Sequence, residues 1–260
     1  MASVSDTGKI EIRHCATLED FDKCVRIEHA TWGEGISVPS AIFVAAHHSG
    51  GQVLGAFEGA TMVGFTLAFA GSRAGEGFLH SHMTAVLADY QDRGIGRSLK
   101  LFQRQDALKR GFALVEWTFD PLELKNAHFN LMRLGAVARR FLPNCYGITE
   151  SPLHAGLPTD RLVAEWWLDS DRVKSILAEN PLPTKGPVGR ITLPANTTEI
   201  KSKDQVAGAR IQTGARGQFL RAFADGLVAT AIAPEGPRTD YFLEPSATIA
   251  GLHLPESPTG

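Results

Sequence analysis

Two hydrophobic periodicities alternate along the N-terminal part of the chain. The segment KIEIRHC at 9–15 alternates apolar and polar residues, which is typical of a half-buried strand. Residues 17–33 space their apolar positions as an amphipathic helix does, with Thr17 as a candidate N-cap. PSAIFVAAHHSGG at 39–51 predicts a second short helix that ends at glycines, and residues 52–59 and 61–71 predict a hairpin. The predicted fold therefore opens with a strand, two helices and two further strands.

Strands and helices continue to alternate up to residue 170. Apolar runs bounded by turn residues predict four strands, at 76–87, 112–121, 136–147 and 159–170. Helical spacing predicts a helix of about fifteen residues after the glycines of QDRGIG. A second predicted helix, at 122–135, ends at Gly135 as a C-cap.

The chain changes character after residue 168, where proline and glycine become frequent. A helix with a linker (171–189), a strand (189–196), a helix (203–226) and a terminal hairpin (227–234 with 239–245) are predicted there. The long helix has enough apolar residues for one buried face, at Val206, Ile211, Phe219, Leu220 and Phe223. We predict a main domain at 8–168, a smaller α+β extension at 169–250 that packs on the main sheet or continues it, and a flexible tail at 251–260.

Composition and charge exclude several classes of function. With 260 residues and 43% hydrophobic content, the chain can bury a substantial core. Its formal net charge of −2, without a basic stripe, argues against recruitment to nucleic acid or to a membrane surface. Neither a signal peptide nor a long apolar segment is readable, so we expect a cytoplasmic protein. The three cysteines show no CxxC spacing, and no metal site is expected.

The stretch QDRGIG, residues 91–96, joins a predicted strand to a predicted helix. The first turn of a helix presents unpaired backbone N–H groups, and the helix dipole favours an anion there. Gly94 and Gly96 would let a phosphate come close, while Arg93 and Arg97 add positive charge. The spacing matches neither GxxxxGK[ST] nor GxGxxG. A diphosphate site is one interpretation, and a helix start that only needs a tight turn is the other.

The segment at 86–112, VLADYQDRGIGRSLKLFQRQDALKRGF, resembles the coenzyme A segment of the GNAT superfamily of acyl-CoA N-acyltransferases, whose signature is Q/RxxGxG/A. Gln91, Gly94 and Gly96 match the signature positions. The resemblance extends through NAHFNLMRLGAV, and EWTFDPLELKNAHFN with PTDRLVAEWW is similar to a bacterial branch with a C-terminal extension. It implies an α+β fold, an α/β/α sandwich whose mixed, largely antiparallel sheet is splayed in the middle, with a smaller α+β extension.

The resemblance also implies how acetyl-CoA, or another acyl-CoA such as succinyl-CoA, would be held. The pantetheine arm would pair with backbone groups of the strand before the loop, and the diphosphate would rest on the loop itself. The N–H of Thr84 would also stabilise an oxyanion. The implied cofactor-binding residues are Thr84, Ala85, Val86, Gln91, Asp92, Arg93, Gly94, Ile95, Gly96, Arg97, Ser98 and Asn126.

Acyl transfer to an amine needs one group that removes a proton and one that protonates the leaving thiolate. His80 lies four residues before Thr84, where several family members carry a glutamate base, and His82 shares its strand face. A hydrogen-bonded core histidine is the alternative for either. The family's tyrosine acid is replaced by Leu131, so either Tyr146 serves or the thiolate leaves without help.

Candidates for acceptor binding are Glu116, Arg139 and Arg161. An arginine that binds a carboxylate through two hydrogen bonds would suit an amino acid acceptor or a dicarboxylic acyl group, whereas ordinary ion pairs are the alternative.

The leading hypothesis for function is an acyl-CoA-dependent N-acyltransferase, most simply an N-acetyltransferase, in which a small amine attacks the thioester directly in a ternary complex. A non-catalytic acyl-CoA binding or sensing module and a protein lysine acetyltransferase stay open as alternatives. No nucleic acid or membrane partner is expected, and a homodimer is left open.

Overall fold

The computed structural model describes residues 8–33, 37–149, 154–180 and 186–249. The chain divides into two compact units, residues 1–115 and 116–260, and each is described by itself. The predicted tail at 251–260 and part of the predicted linker, 181–185, lie outside the described residues. The domain boundary at residue 168 stays a prediction.

The first unit is a four-stranded antiparallel sheet with helices on both faces, and its strands follow the order β1-β2-β3-β4. A single 3-10 turn at Ala88–Tyr90 precedes its last helix. In chain order the elements are β1 (Ile10–His14), α1 (Leu18–Trp32), α2 (Ser40–His48), β2 (Gln52–Glu58), β3 (Thr61–Arg73), β4 (Glu76–Val86) and α3 (Ile95–Lys109).

Local sequence signals account for where these elements begin and which faces they bury. The side chain of Thr17 accepts a hydrogen bond from the N–H of Asp20, which confirms Thr17 as the N-cap of α1. Phe57 of β2 packs in a core cluster with Phe21 of α1, whereas Leu54 of the same strand packs with Leu99 of α3. Side chains of a strand alternate between the faces of a sheet, so α1 and α2 cover one face of this unit and α3 covers the other.

Strand β4 contains a β-bulge in its pairing with β3. Leu67 lies opposite Met83 and Ala68 lies opposite Ser81, so His82 is an extra residue without a counterpart in β3. A bulge interrupts the regular alternation of side chains along a strand. Residues before and after His82 therefore do not follow one uninterrupted pattern of faces.

The second unit takes most of β5 and contains a sheet in the order β5-β7-β6-β9-β10-β8. Its elements are β5 (Leu114–Phe119), α4 (Leu124–His128), β6 (Val137–Leu142), β7 (Arg161–Trp167), α5 (Asp171–Leu177), β8 (Gly189–Pro194), α6 (Thr197–Lys203), α7 (Gln205–Ala224), β9 (Leu227–Glu235) and β10 (Arg238–Pro245), with a 3-10 turn at Ser246–Thr248.

The C-terminal part of the second unit extends its sheet. Strand β9 pairs with β6 through Ala229 and Ala138, and β10 and β8 follow as antiparallel neighbours. On α7, Phe219 is fully buried and its ring lies 5.1 Å from that of Tyr241. Val206 and Leu220 of the same helix are exposed, contrary to the buried face expected from the sequence. Adjacent residues such as Phe219 and Leu220 point about 100° apart on a helix, and Leu220 lies outside the face that buries Phe219.

Two helical features of the second unit differ from the sequence prediction. The predicted helix at 122–135 begins at Leu124 and changes at Phe129 into one turn of π-helix that ends at Arg133. Helix α6 has no counterpart among the predicted elements. Its sequence TTEIKSK has only one apolar residue and hence no helical periodicity, which explains why the pattern did not reveal it.

Candidate functional site

The glycine turn forms the N-terminus of α3. Gly94 is the N-cap of that helix in the left-handed conformation, with a φ of 80°, and no side chain caps the helix. Asp92, two residues earlier, also has a positive φ of 58°. Glycine adopts a left-handed φ without the steric cost that a side chain brings. The turn thus presents the backbone of the first helical turn without a covering side chain.

Gly96 lies inside the first turn of α3, where its backbone conformation does not require glycine. A Cβ atom built on Gly96 would meet no other atom within 4 Å, so packing does not require glycine either. Glycine is also a poor helix former, disfavoured against alanine by about 1 kcal/mol. Gly96 therefore keeps the space in front of the helix N-terminus open.

Two arginines, Arg93 and Arg97, lie on either side of Gly94 and Gly96 in the sequence. Arg93 lies over the ring of Tyr90, 4.9 Å from its centroid, and the Tyr90 hydroxyl donates to Glu58 at 2.7 Å. The Nε of Arg97 is buried, yet it has no hydrogen-bond partner among the described residues. Buried donors are nearly always paired in native proteins. Arg97 follows Gly96 directly, so its positive charge belongs to the first turn of α3, where the helix dipole favours an anion.

Gln91 links this turn to the end of β4. Its side-chain amide donates to the backbone carbonyl of Val86 at 3.0 Å. The structure therefore gives Gln91 a structural contact inside the chain, and a direct contact with coenzyme A stays a prediction. The predicted loop residues Asp92, Ile95 and Ser98 lie within or directly beside the same turn.

Thr84 turns its side chain toward β3. Its hydroxyl lies 3.1 Å from that of Thr66. The neighbours of Thr66 in β3, Phe65 and Leu67, both belong to the core under α1 and α2, so Thr66 faces the α3 side. The Thr84 hydroxyl therefore points to the α3 face, and its predicted role concerns its backbone N–H alone.

The two candidate bases lie on the other face of β4. The rings of His80 and His82 are 6.0 Å apart, and the ring of Phe69, which packs against the core under α1 and α2, lies 5.6 Å from that of His82. His82 is exposed on β4, and partial desolvation of its imidazole by neighbouring groups lowers the pKa of His82 below the ordinary value of 6.5. His82 is therefore neutral at pH 7 and able to accept a proton.

Lys100 is a buried cation that the sequence reasoning missed. It is 4% exposed, and its Nζ donates to the hydroxyl of Ser81 at 2.7 Å and to Oε1 of Gln103 at 3.1 Å. Burial lowers the pKa of Lys100 to about 7. Lys100 and Gln103 lie on one helical stripe with Gly96, and this i, i+4, i+7 spacing is the signal that could have placed Lys100 toward the sheet.

The second unit carries the remaining predicted cofactor and acid candidates. Asn126 is exposed on α4. Leu131, at the position of the family's tyrosine, is completely buried and can supply no proton. The hydroxyl of Tyr146 lies 2.8 Å from that of Thr118 on β5. Tyr146 is 47% exposed, and partial desolvation raises the pKa of its phenol above the ordinary value of 10, so this phenol keeps its proton at neutral pH.

Two of the predicted acceptor-binding residues take part in internal ion pairs. Arg139 donates to Glu165 at 2.9 Å, and Arg140 binds both Glu165, at 3.0 Å, and Glu116. Both glutamates are almost completely buried. Arg139 and Glu116 thus already have charged partners inside the fold, and their contact with an acceptor stays a prediction.

The described hydrogen-bond partners of Arg161 are uncharged groups. It donates to the backbone carbonyl of Asp160 at 3.0 Å and to Nε2 of His154 at 2.7 Å. Burial and the adjacent Arg161 charge lower the pKa of His154, which leaves the imidazole neutral as an acceptor. The carboxylate of Asp160 is taken by Arg216, with both contacts at 2.8 Å. Within the described ranges, no carboxylate forms an ion pair with Arg161.

The described parts of the chain contain no group of three or more histidine, cysteine, aspartate or glutamate residues arranged to hold a metal ion. Across those same parts, no helix combines the length and apolar character that a membrane crossing requires.

A solved structure is similar to this chain over more than half of its length. The structure of yncA from Salmonella typhimurium, with its cofactor acetyl-CoA, is 18% identical with a TM-score of 0.50 over 62% of this chain and 94% of its own. The chain has the GNAT fold. The predicted α+β architecture with a largely antiparallel sheet is thereby confirmed.

Other solved structures with this fold cover a similar share of the chain. An acetyltransferase of the GNAT family from Streptococcus pneumoniae is 19% identical with a TM-score of 0.49, over 60% of this chain and 98% of its own. The ribosomal-protein-S18-alanine N-acetyltransferase from Escherichia coli is 18% identical with a TM-score of 0.49, over 60% and 92%. At these identities the likeness concerns the fold alone. No protein-family model and no curated protein matches the chain.

Proposed function

We propose that this GNAT-fold protein is an acyl-CoA-dependent N-acyltransferase that transfers an acetyl or related acyl group to a small amine. The observation that carries the proposal is the open space at Gly96 in the first turn of a helix whose N-terminus no side chain caps, with the cationic Arg97 as the next residue. Both features suit a diphosphate at the N-terminus of α3, where backbone amides and the helix dipole add to its binding.

Residues of β4 and of the second unit have chemical properties that suit the transfer. Bound acetyl-CoA supplies the thioester carbon that the amine attacks. The neutral imidazole of His82, assisted by His80, would accept a proton from the amine. The protonated phenol of Tyr146 would donate a proton to the leaving thiolate, in place of the tyrosine that Leu131 replaces.

Arg161 supports an acceptor that carries a carboxylate. The residue is 9% exposed, and the described partners of its guanidinium are a backbone carbonyl, a neutral imidazole and the ring of Tyr146. A cation held mainly by neutral groups is favourably completed by an anion. We therefore propose amino acids as the class of acceptor to test first.

The proposal is tested by coenzyme A release from acetyl-CoA and succinyl-CoA with three matched acceptors: an amino acid, its amide, and a lysine-containing peptide. We expect turnover with the amino acid and a much higher KM for the amide, because only the former offers a carboxylate to Arg161. Equal rates with amino acid and amide would reject this acceptor class. Turnover confined to the peptide would instead identify a protein lysine acetyltransferase.

The second candidate is a non-catalytic acyl-CoA binding module. The buried Leu131 favours it, because leucine cannot donate a proton at the position where the family has its tyrosine acid. Calorimetry separates the two. Heat with acetyl-CoA but no turnover with any amine would support the module, and no heat with any CoA species would reject both functions.

Replacement of His82 by glutamine should lower kcat by about 100-fold, the usual contribution of a positioned general base. In the unsubstituted protein the base must be deprotonated, and its pKa lies below 6.5. Activity should therefore hold from pH 8 to about 6.5 and fall only below that value. The variant should lose this acid limb. His80→Gln is the matched control, and a larger loss there would make His80 the base.

A further inference from the structure

The turn Asp120–Glu123 joins β5 to α4. Each of its four residues accepts a hydrogen bond from a side chain of the C-terminal extension. A side chain from α6 or β10 reaches each of its four residues. The partners are 75 to 120 residues away along the chain, so these contacts are set by tertiary structure alone.

Two of the bonds are buried and join neutral groups. The hydroxyl of Thr197 donates to the carbonyl of Leu122 at 2.8 Å, and the hydroxyl of Tyr241 donates to the carbonyl of Pro121 at 2.7 Å. Thr197 and Tyr241 are both almost completely buried. A buried hydroxyl without its partner is costly, so each bond opposes movement of the turn.

The other two bonds come from one cation. Lys201, 4% exposed, donates to Asp120 at 3.0 Å and to Glu123 at 2.7 Å. Burial alone would lower the pKa of Lys201, but the two carboxylates outweigh it and raise the pKa above 10.5. Lys201 therefore stays charged at neutral pH and ties the first and last residues of the turn together.

Helix α4, which follows this turn, is short and depends on tertiary contacts for its position. It has five residues before the π-helical turn, and its N-cap, Glu123, makes no side-chain capping bond. Short helices are stabilised by tertiary contacts rather than by themselves. The direction in which α4 presents Asn126 thus depends on how firmly the turn is held.

We infer that the extension is a brace for the acyl-CoA site: Thr197, Lys201 and Tyr241 are positioning residues that hold the Asp120–Glu123 turn and thereby set Asn126 for contact with coenzyme A. The inference rests on the proposed function for the identity of the ligand. It gives the extension a role in the binding of coenzyme A and not in the binding of the acceptor.

The test uses the double variant Thr197→Val Tyr241→Phe, which removes two hydroxyls and keeps the packing. Thr248→Val is the matched control, because the Thr248 hydroxyl also donates to a proline carbonyl of the extension, that of Pro245, but is exposed. Two readouts are taken on the full-length protein: amide hydrogen exchange over residues 122–126, and the Kd for coenzyme A by calorimetry.

We expect exchange at 122–126 to rise by about 30-fold and the Kd for coenzyme A to rise by about tenfold in the double variant, with neither change in Thr248→Val. Exchange at the glycine turn, 91–98, should stay unchanged. If the double variant does not fold, Tyr241→Phe alone provides the same comparison, with smaller changes in the same direction.

Two outcomes would overturn the inference. Unchanged exchange at 122–126 would mean that the bonds do not hold the turn, and faster exchange with an unchanged Kd would mean that the turn does not position Asn126. If the unsubstituted protein binds no coenzyme A, the proposed function fails and the Asn126 part of the inference fails with it, whereas the exchange readout still decides whether the extension holds the turn.

Discussion

Replacing Gly96 by aspartate should weaken coenzyme A binding by at least about 100-fold while the protein stays folded. The new carboxylate would extend into the open space in front of α3, where it would repel a diphosphate and compete for the same backbone amides. The fold should tolerate the change, because no atom lies within 4 Å of the added Cβ and an acidic residue suits the first turn of a helix. Calorimetry with coenzyme A and a thermal melt measure the two effects.

Gly214→Asp is the control for this substitution. Gly214 also lies in a long helix, α7, and a Cβ there would likewise meet nothing within 4 Å. It should leave coenzyme A binding at the level of the unsubstituted protein. If Gly96→Asp binds coenzyme A as tightly as Gly214→Asp does, the glycine turn is not the diphosphate site and the proposed function loses its support.

The substitution Arg172→Met should destabilise the protein by about 3 kcal/mol, the largest effect on stability that we expect from a single side chain. The Arg172 guanidinium donates to the carbonyls of Gly135 at 3.1 Å, Leu131 at 3.3 Å and Thr230. Methionine would fill the space but leave three carbonyls without their donor. Burial already lowers the pKa of Arg172, so the loss of a desolvated charge would offset part of the cost.

Urea unfolding measures this change against Lys174→Met on the same helix. Lys174 is half exposed and pairs with the exposed Asp169, so its loss should change stability by less than about 0.5 kcal/mol. Equal midpoints for the two variants would show that the three carbonyls find other partners. A loss confined to Arg172→Met would identify this arginine as the link between the π-helical turn and β9.

The glycine turn illustrates which features of a site can be predicted from the sequence. Its residue types, its place between a strand and a helix and the left-handed conformation of Gly94 depend on a few neighbouring residues. The same holds for the Thr17 cap and the extent of α3. The orphaned Nε of Arg97 was not readable, because it reflects burial by residues elsewhere in the fold.

The acceptor side shows the opposite case. Arg139, Arg161 and Glu116 were equal candidates in the sequence, since each is a charged residue in or beside a predicted strand. The structure separates them: Arg139 and Glu116 belong to a buried ion-pair network, whereas Arg161 faces a neutral imidazole. The strand order and the bulged pairing of β6 with β7 decide which of these charged side chains forms an ion pair. Neither feature can be read from the neighbouring residues in the sequence.

The sequence by itself determined the succession of strands and helices, the glycine turn and the family resemblance, because periodicity, capping and left-handed glycines act over a few residues. Tertiary structure alone decided that Lys100 is buried against Ser81, that His82 forms a bulge, that residues 129–133 widen into a π-helical turn and that Tyr241 reaches Pro121. These contacts join groups as much as 120 residues apart, and only the packing of the sheet and its helices brings such partners together.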